Sequence, residues 1–137
     1  MPLKIKIFLW YLKRGVILTK DNLIKRRWKG DSKCSFCGLE ENIQHIFFDC
    51  RVVRFVWNAL FITFNIQSPK SISHMFGSWR RRFAPGLRNQ IIVGIAAICW
   101  VLWLNRNDAV FQNLVANSYL QVIFRGIFLI RQWSLLS

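Results

Sequence analysis

Apolar side chains recur at helical spacing along most of the chain. Residues 3–14 place four of them on one face of a helix, namely Ile5, Phe8, Leu9 and Leu12. Gly15 would end that helix. The stretch "KIKIF" also alternates like a strand, so two predictions stay open here, and we favour the helix.

A second, shorter helix is predicted after Thr19, whose side chain suits an N-cap position. This helix would run to Arg27, with Leu23 and Ile24 facing inward and three basic residues facing outward. Residues 30–32 form the turn "GDS" that would follow it.

The pattern beyond Cys50 predicts further helices. One has Val53, Trp57, Leu60 and Phe64 on a single face. The breaker "NIQSPKS" then divides the chain into two units, 2–60 and 71–135. The second unit holds an amphipathic helix over 71–83, a break at Pro85-Gly86, a long helix over 87–112 and a last helix over 118–135.

The apolar pattern as a whole predicts an all-α fold: a small helical domain, which includes the cysteine-rich residues 34–50, followed by a helical tail. The only β-structure expected is a short hairpin near the first two cysteines. Cys99, alone in an apolar run, is predicted to be a small core residue. Arg106 and Asp108 are predicted to form an ion pair or a helix cap.

Charge changes this picture. Lys and Arg total 20 against 6 Asp and Glu, which gives a formal charge of +14. Such an excess favours a polyanionic partner, because each neutralised phosphate releases counterions. A large net charge also serves solubility, so charge alone does not establish this partner.

The apolar fraction is high, at 53%. The run from Ile91 to Leu104 has 14 residues, fewer than the ~17–25 that cross a bilayer, and Arg88 and Arg106 flank it. We therefore favour a buried helix over a membrane helix. The N-terminal segment has lysines in its apolar run and no cleavage site, so we expect a nuclear or cytoplasmic protein that is not secreted.

Three cysteines and a histidine lie within residues 34–50, "CSFCGLEENIQHIFFDC", which we call the zinc knuckle. Cys34 and Cys37 form a C-x2-C pair, and His45 and Cys50 follow at x7 and x4 spacing. Gly38 would ease the turn between the pairs. This set predicts a closed tetrahedral Zn²⁺ site of the Cys₃His type. Three thiolates leave a net charge of −1, which Lys33, Arg51 and Arg54 would offset.

Other interpretations of the cluster are weaker. A Cys34–Cys37 disulfide would need an oxidising compartment, and a redox pair would need a βαβ context. A catalytic Cys/His pair would leave two cysteines unexplained. Ordinary packing of all four residues is the remaining alternative.

No catalytic constellation accompanies the cluster, and we predict that the chain is not an enzyme. The acids include no adjacent pair of aspartates that two-metal chemistry would use; they are Asp21, Asp31, Glu40, Glu41, Asp49 and Asp108. The sequence also has no Gly-rich phosphate loop and no nucleophile elbow.

The quoted segments "PLKIKIFLWYL", "LTKDNLIKRRW" and the zinc knuckle resemble the zinc-binding domain of plant non-LTR (LINE-type) retrotransposon reverse transcriptases. The residues that carry the resemblance are Pro2, Lys4, Ile5, Phe8, Trp10, Leu18, Thr19, Leu23, Cys34, Cys37, Glu41, His45, Phe47, Cys50 and Trp57. Ile46 and Asn42 depart mildly from the pattern. "WVLWLNRNDAVFQN", residues 100–113, resembles the helical tail of such reading frames less specifically.

The resemblance implies a non-catalytic remnant of a retrotransposon protein, with zinc as its metal, and not a reverse transcriptase. Nucleic acid, RNA or DNA, is the expected partner. One alternative is a structural module that associates with itself or with a polymerase domain. A second alternative is membrane association through residues 88–106, which we consider the weakest.

The predicted nucleic-acid contacts are basic residues around the knuckle and on one later helix end. They are Lys25, Arg26, Arg27, Lys29, Lys33, Arg51, Arg54, Arg80, Arg81 and Arg82. Trp79 would be available to stack on a base. The alternative for Arg80–Arg82 is a solvated helix end that complements the helix dipole. Trp10 and Trp57 are predicted to be core aromatics beside the zinc site.

Overall fold

The computed structural model describes residues 1–111 and Arg125. Its α-helices are α1 (Leu3–Arg14), α2 (Lys20–Lys25), α3 (Arg51–Phe64), α4 (Ile72–His74) and α5 (Pro85–Phe111). Two segments, His45–Asp49 and Met75–Trp79, have π-helical hydrogen bonding. The described residues contain no strand and one isolated antiparallel bridge, Lys33 with Glu40. The prediction of an all-α fold is confirmed.

Helix α1 forms as the apolar spacing predicts. Its four predicted core residues are buried, and the competing strand does not form. Gly15 ends the helix in the left-handed conformation, with φ of 70°. The amide of Gly15 donates to the Leu12 carbonyl at 3.1 Å, which satisfies one of the last helical acceptors.

Helix α2 is shorter than predicted. It ends at Lys25, and Arg27 takes a positive φ of 69°, which a helix does not accommodate. Thr19 holds the N-cap position, but its hydroxyl donates to the Asp21 carboxylate and caps no amide. Ile24 is 41% exposed, so its predicted inward position is wrong, because a six-residue helix turns only part of its surface to the core.

Helix α3 buries its N-terminal half. Val53 and Trp57 are in the core as predicted, together with Val52 and Val56. Phe64 was placed on the same face but is 63% exposed, because the core contacts of α3 end before its last turn.

The predicted helix over 71–83 is interrupted. Ser71 starts α4, and its hydroxyl accepts a hydrogen bond from the His74 amide at 3.1 Å. Gly77 then departs from helical geometry, with φ of −106° and ψ of −115°. Trp79 is fully buried, and its indole N–H donates to the Gln67 carbonyl at 2.7 Å. The prediction that Trp79 stacks on a base is therefore wrong.

Helix α5 has 27 residues and begins at Pro85, two residues before the prediction. A proline is compatible with the first turn because its missing N–H would have no helical acceptor there. Gln112 and, apart from Arg125, the predicted helix over 118–135 lie outside the described residues. The division into units 2–60 and 71–135 stays a prediction.

By length and composition α5 qualifies as a membrane span, with a mean hydropathy of 1.7 over its best window. The 14-residue apolar run alone is too short to cross a bilayer, but the whole 27-residue helix is long enough. Length therefore does not exclude a membrane span here. The core helices of soluble proteins meet the same criterion. The middle of α5, around Ala97 and Cys99, is fully buried in the protein.

Helix α5 packs against α1 and against the segment His45–Asp49. The Phe8 ring meets Trp100 edge-on at 5.2 Å between centroids, and it meets Trp103 at 6.2 Å. Trp103 also stacks on Phe47 at 6.4 Å. These aromatic contacts join α5 to the residues that carry the cysteine and histidine cluster.

Candidate metal centre

A tight turn presents the first two cysteines. The Cys34 amide donates to the Leu39 carbonyl at 2.6 Å, and the Gly38 amide donates to the Cys34 carbonyl at 3.0 Å. Gly38 takes a φ of 78°, and this left-handed conformation is why glycine suits the position. The Lys33–Glu40 bridge pairs the two sides of this turn, so the predicted hairpin is reduced to one antiparallel bridge without strands in the described residues.

The other two members of the cluster bracket the π-helical segment. His45 begins the segment, and the side-chain oxygen of Asn42 accepts from its amide at 2.8 Å. The Cys50 amide donates to the His45 carbonyl at 2.9 Å, and Cys50 is also the N-cap residue of α3. The segment therefore sets the separation of the imidazole and the third thiol.

The four potential ligand atoms converge. The three sulfurs and one imidazole nitrogen lie within 4.8 Å of one another. The Cys34 and Cys50 sulfurs are 4.0 Å apart, and the Cys37 sulfur is 3.1 Å from His45 Nε2. Tetrahedral Zn²⁺ with ordinary bond lengths separates two sulfurs by about 3.8 Å and a sulfur from a nitrogen by about 3.6 Å. Movements of no more than about 1 Å would bring the four atoms to the separations that a Cys₃His zinc ion requires.

The site is enclosed by protein. Cys34, His45 and Cys50 are buried, and Cys37 is half-buried. Four protein ligands complete a tetrahedron, so a zinc ion held here keeps no protein-free position for a substrate or a reacting water. An ion held by these four residues would stabilise the fold around them.

The thiols of Cys34 and Cys50 share a hydrogen bond that shifts their pKa values in opposite directions. The hydrogen bond with Cys50, together with burial, raises the pKa of Cys34 to about 12, and the same bond lowers the pKa of Cys50. The Phe36 amide also points at the Cys34 sulfur, at 3.4 Å. Since zinc binds thiolates, the ion would replace the shared proton and release it to solvent.

Lys33 was predicted to offset the negative charge of the zinc site, but it pairs with Glu40 instead. Its ammonium lies 2.6 Å from the Glu40 carboxylate, and this contact raises the pKa of Lys33 and lowers that of Glu40. Arg51 contacts the knuckle backbone directly: its guanidinium donates to the Phe36 carbonyl at 3.1 Å. Arg54 is exposed on α3.

A buried ion pair that the sequence pattern did not predict lies beside the knuckle. Arg106 donates from Nη2 to the Glu41 carboxylate at 2.7 Å, and both side chains are at most 1% exposed. The Lys20 amide donates to the same carboxylate, also at 2.7 Å. Arg106 was predicted to pair with Asp108 or to cap α5, and this pairing with Glu41 corrects that prediction. Glu41 stood in the resemblance pattern, but no local signal pointed to a partner 65 residues away.

The two tryptophans assigned to the core behave differently. Trp57 is buried, and its indole N–H donates to the Phe47 carbonyl at 2.8 Å, as a core aromatic should. Trp10 is 51% exposed, so its core assignment is wrong. Its ring instead supports the Arg14 guanidinium at 4.0 Å, because its position on α1 lies off the apolar face.

The predicted nucleic-acid contacts are surface residues. Ten basic side chains are exposed: Lys25, Arg26, Arg27, Lys29, Lys33, Arg51, Arg54, Arg80, Arg81 and Arg82. Lys33 is engaged with Glu40, and Arg82 donates to the Gln67 side chain at 3.3 Å. Exposure is necessary for phosphate contact, and it leaves that role a prediction.

The state of the four cysteines bears on the two alternatives to zinc binding, a disulfide and ordinary core packing. All four cysteines are free thiols, so the Cys34–Cys37 disulfide is not formed. Cys99 is fully buried, which confirms it as a small core residue, and burial raises its pKa to about 12. The sulfurs of Cys34, Cys37 and Cys50 instead converge on the His45 imidazole, an arrangement that ordinary core packing does not require.

Residues 1–57 match the model of the family described as zinc-binding in reverse transcriptase. The match covers less than half of the chain, and it includes all four residues of the cluster. No curated protein and no solved structure matches the chain. The family and the cluster together point to zinc as the metal, and the resemblance to this zinc-binding domain is confirmed. The plant origin stays a prediction.

Proposed function

We propose that the protein is a non-catalytic zinc module, derived from a retrotransposon reverse transcriptase, that contacts nucleic acid through basic residues around the zinc knuckle. The observation that carries the proposal is the placement of exposed basic residues next to a closed site. Residues 25–29, "KRRWK", leave α2 and lead directly into the knuckle.

Two further features support this proposal. The first is the closed Cys₃His geometry, which suits a structural ion and not a reacting one. The second is the formal net charge of +14, which remains after all six acids, including the paired Glu40 and Glu41, are counted against the 20 Lys and Arg. A protein of this charge gains affinity for phosphate by releasing counterions.

The test is the salt dependence of binding by the full chain loaded with zinc. Labelled single-stranded RNA and double-stranded DNA would be titrated by fluorescence anisotropy at several salt concentrations. We expect affinity to fall steeply with salt, with a slope of roughly −0.7 to −0.9 for each phosphate contacted. Binding that ignores salt, or no binding at all, would contradict the proposal.

A charge-matched pair of variants locates the surface. The double variant Lys25→Gln with Lys29→Gln should reduce the magnitude of the salt slope by about 1.5. It should weaken the binding of RNA and of DNA to the same extent. The control removes two exposed lysines elsewhere, Lys6→Gln with Lys70→Gln. Equal losses in the two variants would mean that net charge, and not the knuckle surface, drives binding.

A second candidate function is a protein-interaction module. The last turns of α3 expose three large apolar side chains, Phe61, Ile62 and Phe64, and Ile62 is 82% exposed. Exposed apolar clusters of this kind favour a partner surface. Sedimentation at increasing concentration tests self-association. The Ile62→Asp variant should abolish it under this alternative and leave nucleic-acid binding unchanged under the first proposal.

A further inference from the structure

A groove of about 580 Å³ runs between α1 and α5. Its apolar walls are Phe8, Tyr11, Leu18, Trp100, Trp103 and Phe111. The volume is in the range of sites that hold small organic groups. We call it the aromatic groove.

Packed aromatic rings form the back of the aromatic groove. The Trp100 and Trp103 rings flank Phe8, at 5.2 and 6.2 Å between centroids. The Arg106 guanidinium lies 4.7 Å from the Trp103 centroid and is held by Glu41. Tyr11 also lines the groove and is more accessible than the two tryptophans, at 44% exposed. Trp100 and Trp103 line the groove and are only half-buried, so part of each ring is open to a planar ligand that stacks on it.

The charge of the aromatic groove is positive. Lys4 and Arg26 line it and are exposed, and the Lys4 ammonium lies 5.9 Å from the Trp100 ring centroid. Among the residues that the structure describes, no Asp or Glu lines it. Its natural ligand chemistry is therefore a planar aromatic group carried on an anion.

The aromatic groove is also continuous with the surface proposed above. Arg26 belongs to the basic stretch 25–29 and at the same time lines the groove. A strand whose phosphates lie along that stretch would pass the mouth of the groove at Arg26.

We propose that the aromatic groove binds unpaired bases of a single-stranded nucleic acid, with Lys4 and Arg26 on the adjoining phosphates. The inference rests on the proposed nucleic-acid function and specifies its ligand. Bases in a duplex are stacked on each other and cannot enter, whereas every unpaired base has a face that stacks on aromatic side chains.

The experiment compares two strands of about twelve nucleotides with equal phosphates, one carrying bases and one abasic throughout. Stacking is worth roughly 5- to 150-fold per base, so the zinc-loaded chain should prefer the base-bearing strand by at least about fivefold. Matched RNA and DNA strands show which sugar is preferred.

Variants at one exposed ring make the test specific. Tyr11→Ala should remove most of the preference, while Tyr11→Phe, which keeps the ring, should hold it within about twofold. Phe64→Ala removes an exposed aromatic that does not line the groove and serves as the control. Zinc content and circular dichroism report whether each variant folds.

A second measurement needs no variant. A strand carrying 5-bromouracil would be photocrosslinked to the wild-type chain and the adducts mapped by mass spectrometry. Crosslinks at Tyr11, Trp100 or Trp103 support the inference, and crosslinks confined to other residues overturn it.

The outcomes separate this inference from the proposed function. Equal affinity for the base-bearing and abasic strands, with a steep salt slope, would overturn the aromatic groove as a base site and leave the phosphate surface intact. No affinity for either strand would overturn both. A base preference that survives Tyr11→Ala in a folded variant would also contradict the inference.

Discussion

At the scale of single residues, the Glu41–Arg106 pair is the feature with the largest energetic consequence. A buried ion pair adds little to stability when it is complete, because desolvation opposes attraction. Removing one partner is costly because the remaining charge stays buried without compensation. Glu41 also accepts from the Lys20 amide, so it joins α2, the knuckle and α5 through one carboxylate.

Glu41→Gln should therefore destabilise the zinc-loaded protein by about 3–5 kcal/mol. Urea denaturation followed by circular dichroism measures this free energy of unfolding. Glu40→Gln is the matched control, since Glu40 is the preceding residue and is exposed in its pair with Lys33. It should cost far less than Glu41→Gln, because solvent screens the exposed pair. Similar losses in the two variants would contradict the role assigned to Glu41.

Cys99 gives a pH-dependent prediction at the same scale. Burial raises its pKa from 9.0 to about 12, so the folded chain keeps the proton where the unfolded chain loses it. The unfolded state then binds fewer protons, and stability falls as pH rises above 9, by about 1.4 kcal/mol between pH 8 and pH 10.

The measurement for Cys99 is urea denaturation at those two pH values, for the wild type and for Cys99→Ala. The variant lacks the buried thiol, so its loss of stability with pH should be smaller by that amount. Equal pH dependence in both proteins would show that Cys99 ionises freely in the folded state.

At the scale of elements, the sequence predicted best where periodicity and a terminator agree. Helix α1 has both, with four apolar residues on one face and Gly15 after it, and its bounds are as predicted. The helix over 71–83 had periodicity alone, and Gly77 interrupts it. Long-range contacts carry no local signal, which is why the Glu41–Arg106 pair and the burial of Trp79 were not predicted. The exposure of Trp10 did have a local signal, because its position lies off the apolar face of α1.

The turn of the knuckle depends on Gly38. A Cβ at this position meets nothing within 4 Å, so a substitution there carries only the backbone strain of φ 78°. Gly38→Ala should cost about 1–2 kcal/mol and weaken zinc binding accordingly. Gly86→Ala, also in open space but in the first turn of α5, should be neutral or slightly stabilising. A neutral Gly38→Ala would contradict this account of the turn.

The knuckle as an element should depend on its metal. Cys34→Ser removes one ligand, and since metal binding supplies folding free energy in small sites, residues 28–57 should lose their protection from amide exchange. Cys99→Ala changes a cysteine outside the cluster and should keep zinc and protection. Retained protection in Cys34→Ser would mean that packing alone holds these residues.

At the scale of the whole molecule, the described residues form one arrangement in which α5 supports the zinc-binding residues. Phe47 lies in the segment between the last two ligands and stacks on Trp103 of α5. Arg106 of α5 neutralises Glu41, which follows the first two cysteines. Loss of zinc should therefore reach beyond residues 34–50 and loosen the packing of α1 against α5.

The most direct test of this account quantifies bound zinc and follows circular dichroism as a chelator is added to the purified chain. We expect one zinc per chain and a cooperative loss of helix on chelation, because the ion holds the knuckle that α1 and α5 pack around. A folded chain that contains no zinc, or one whose helix content does not change when zinc is removed, would contradict the central claim that Cys34, Cys37, His45 and Cys50 form a structural zinc site.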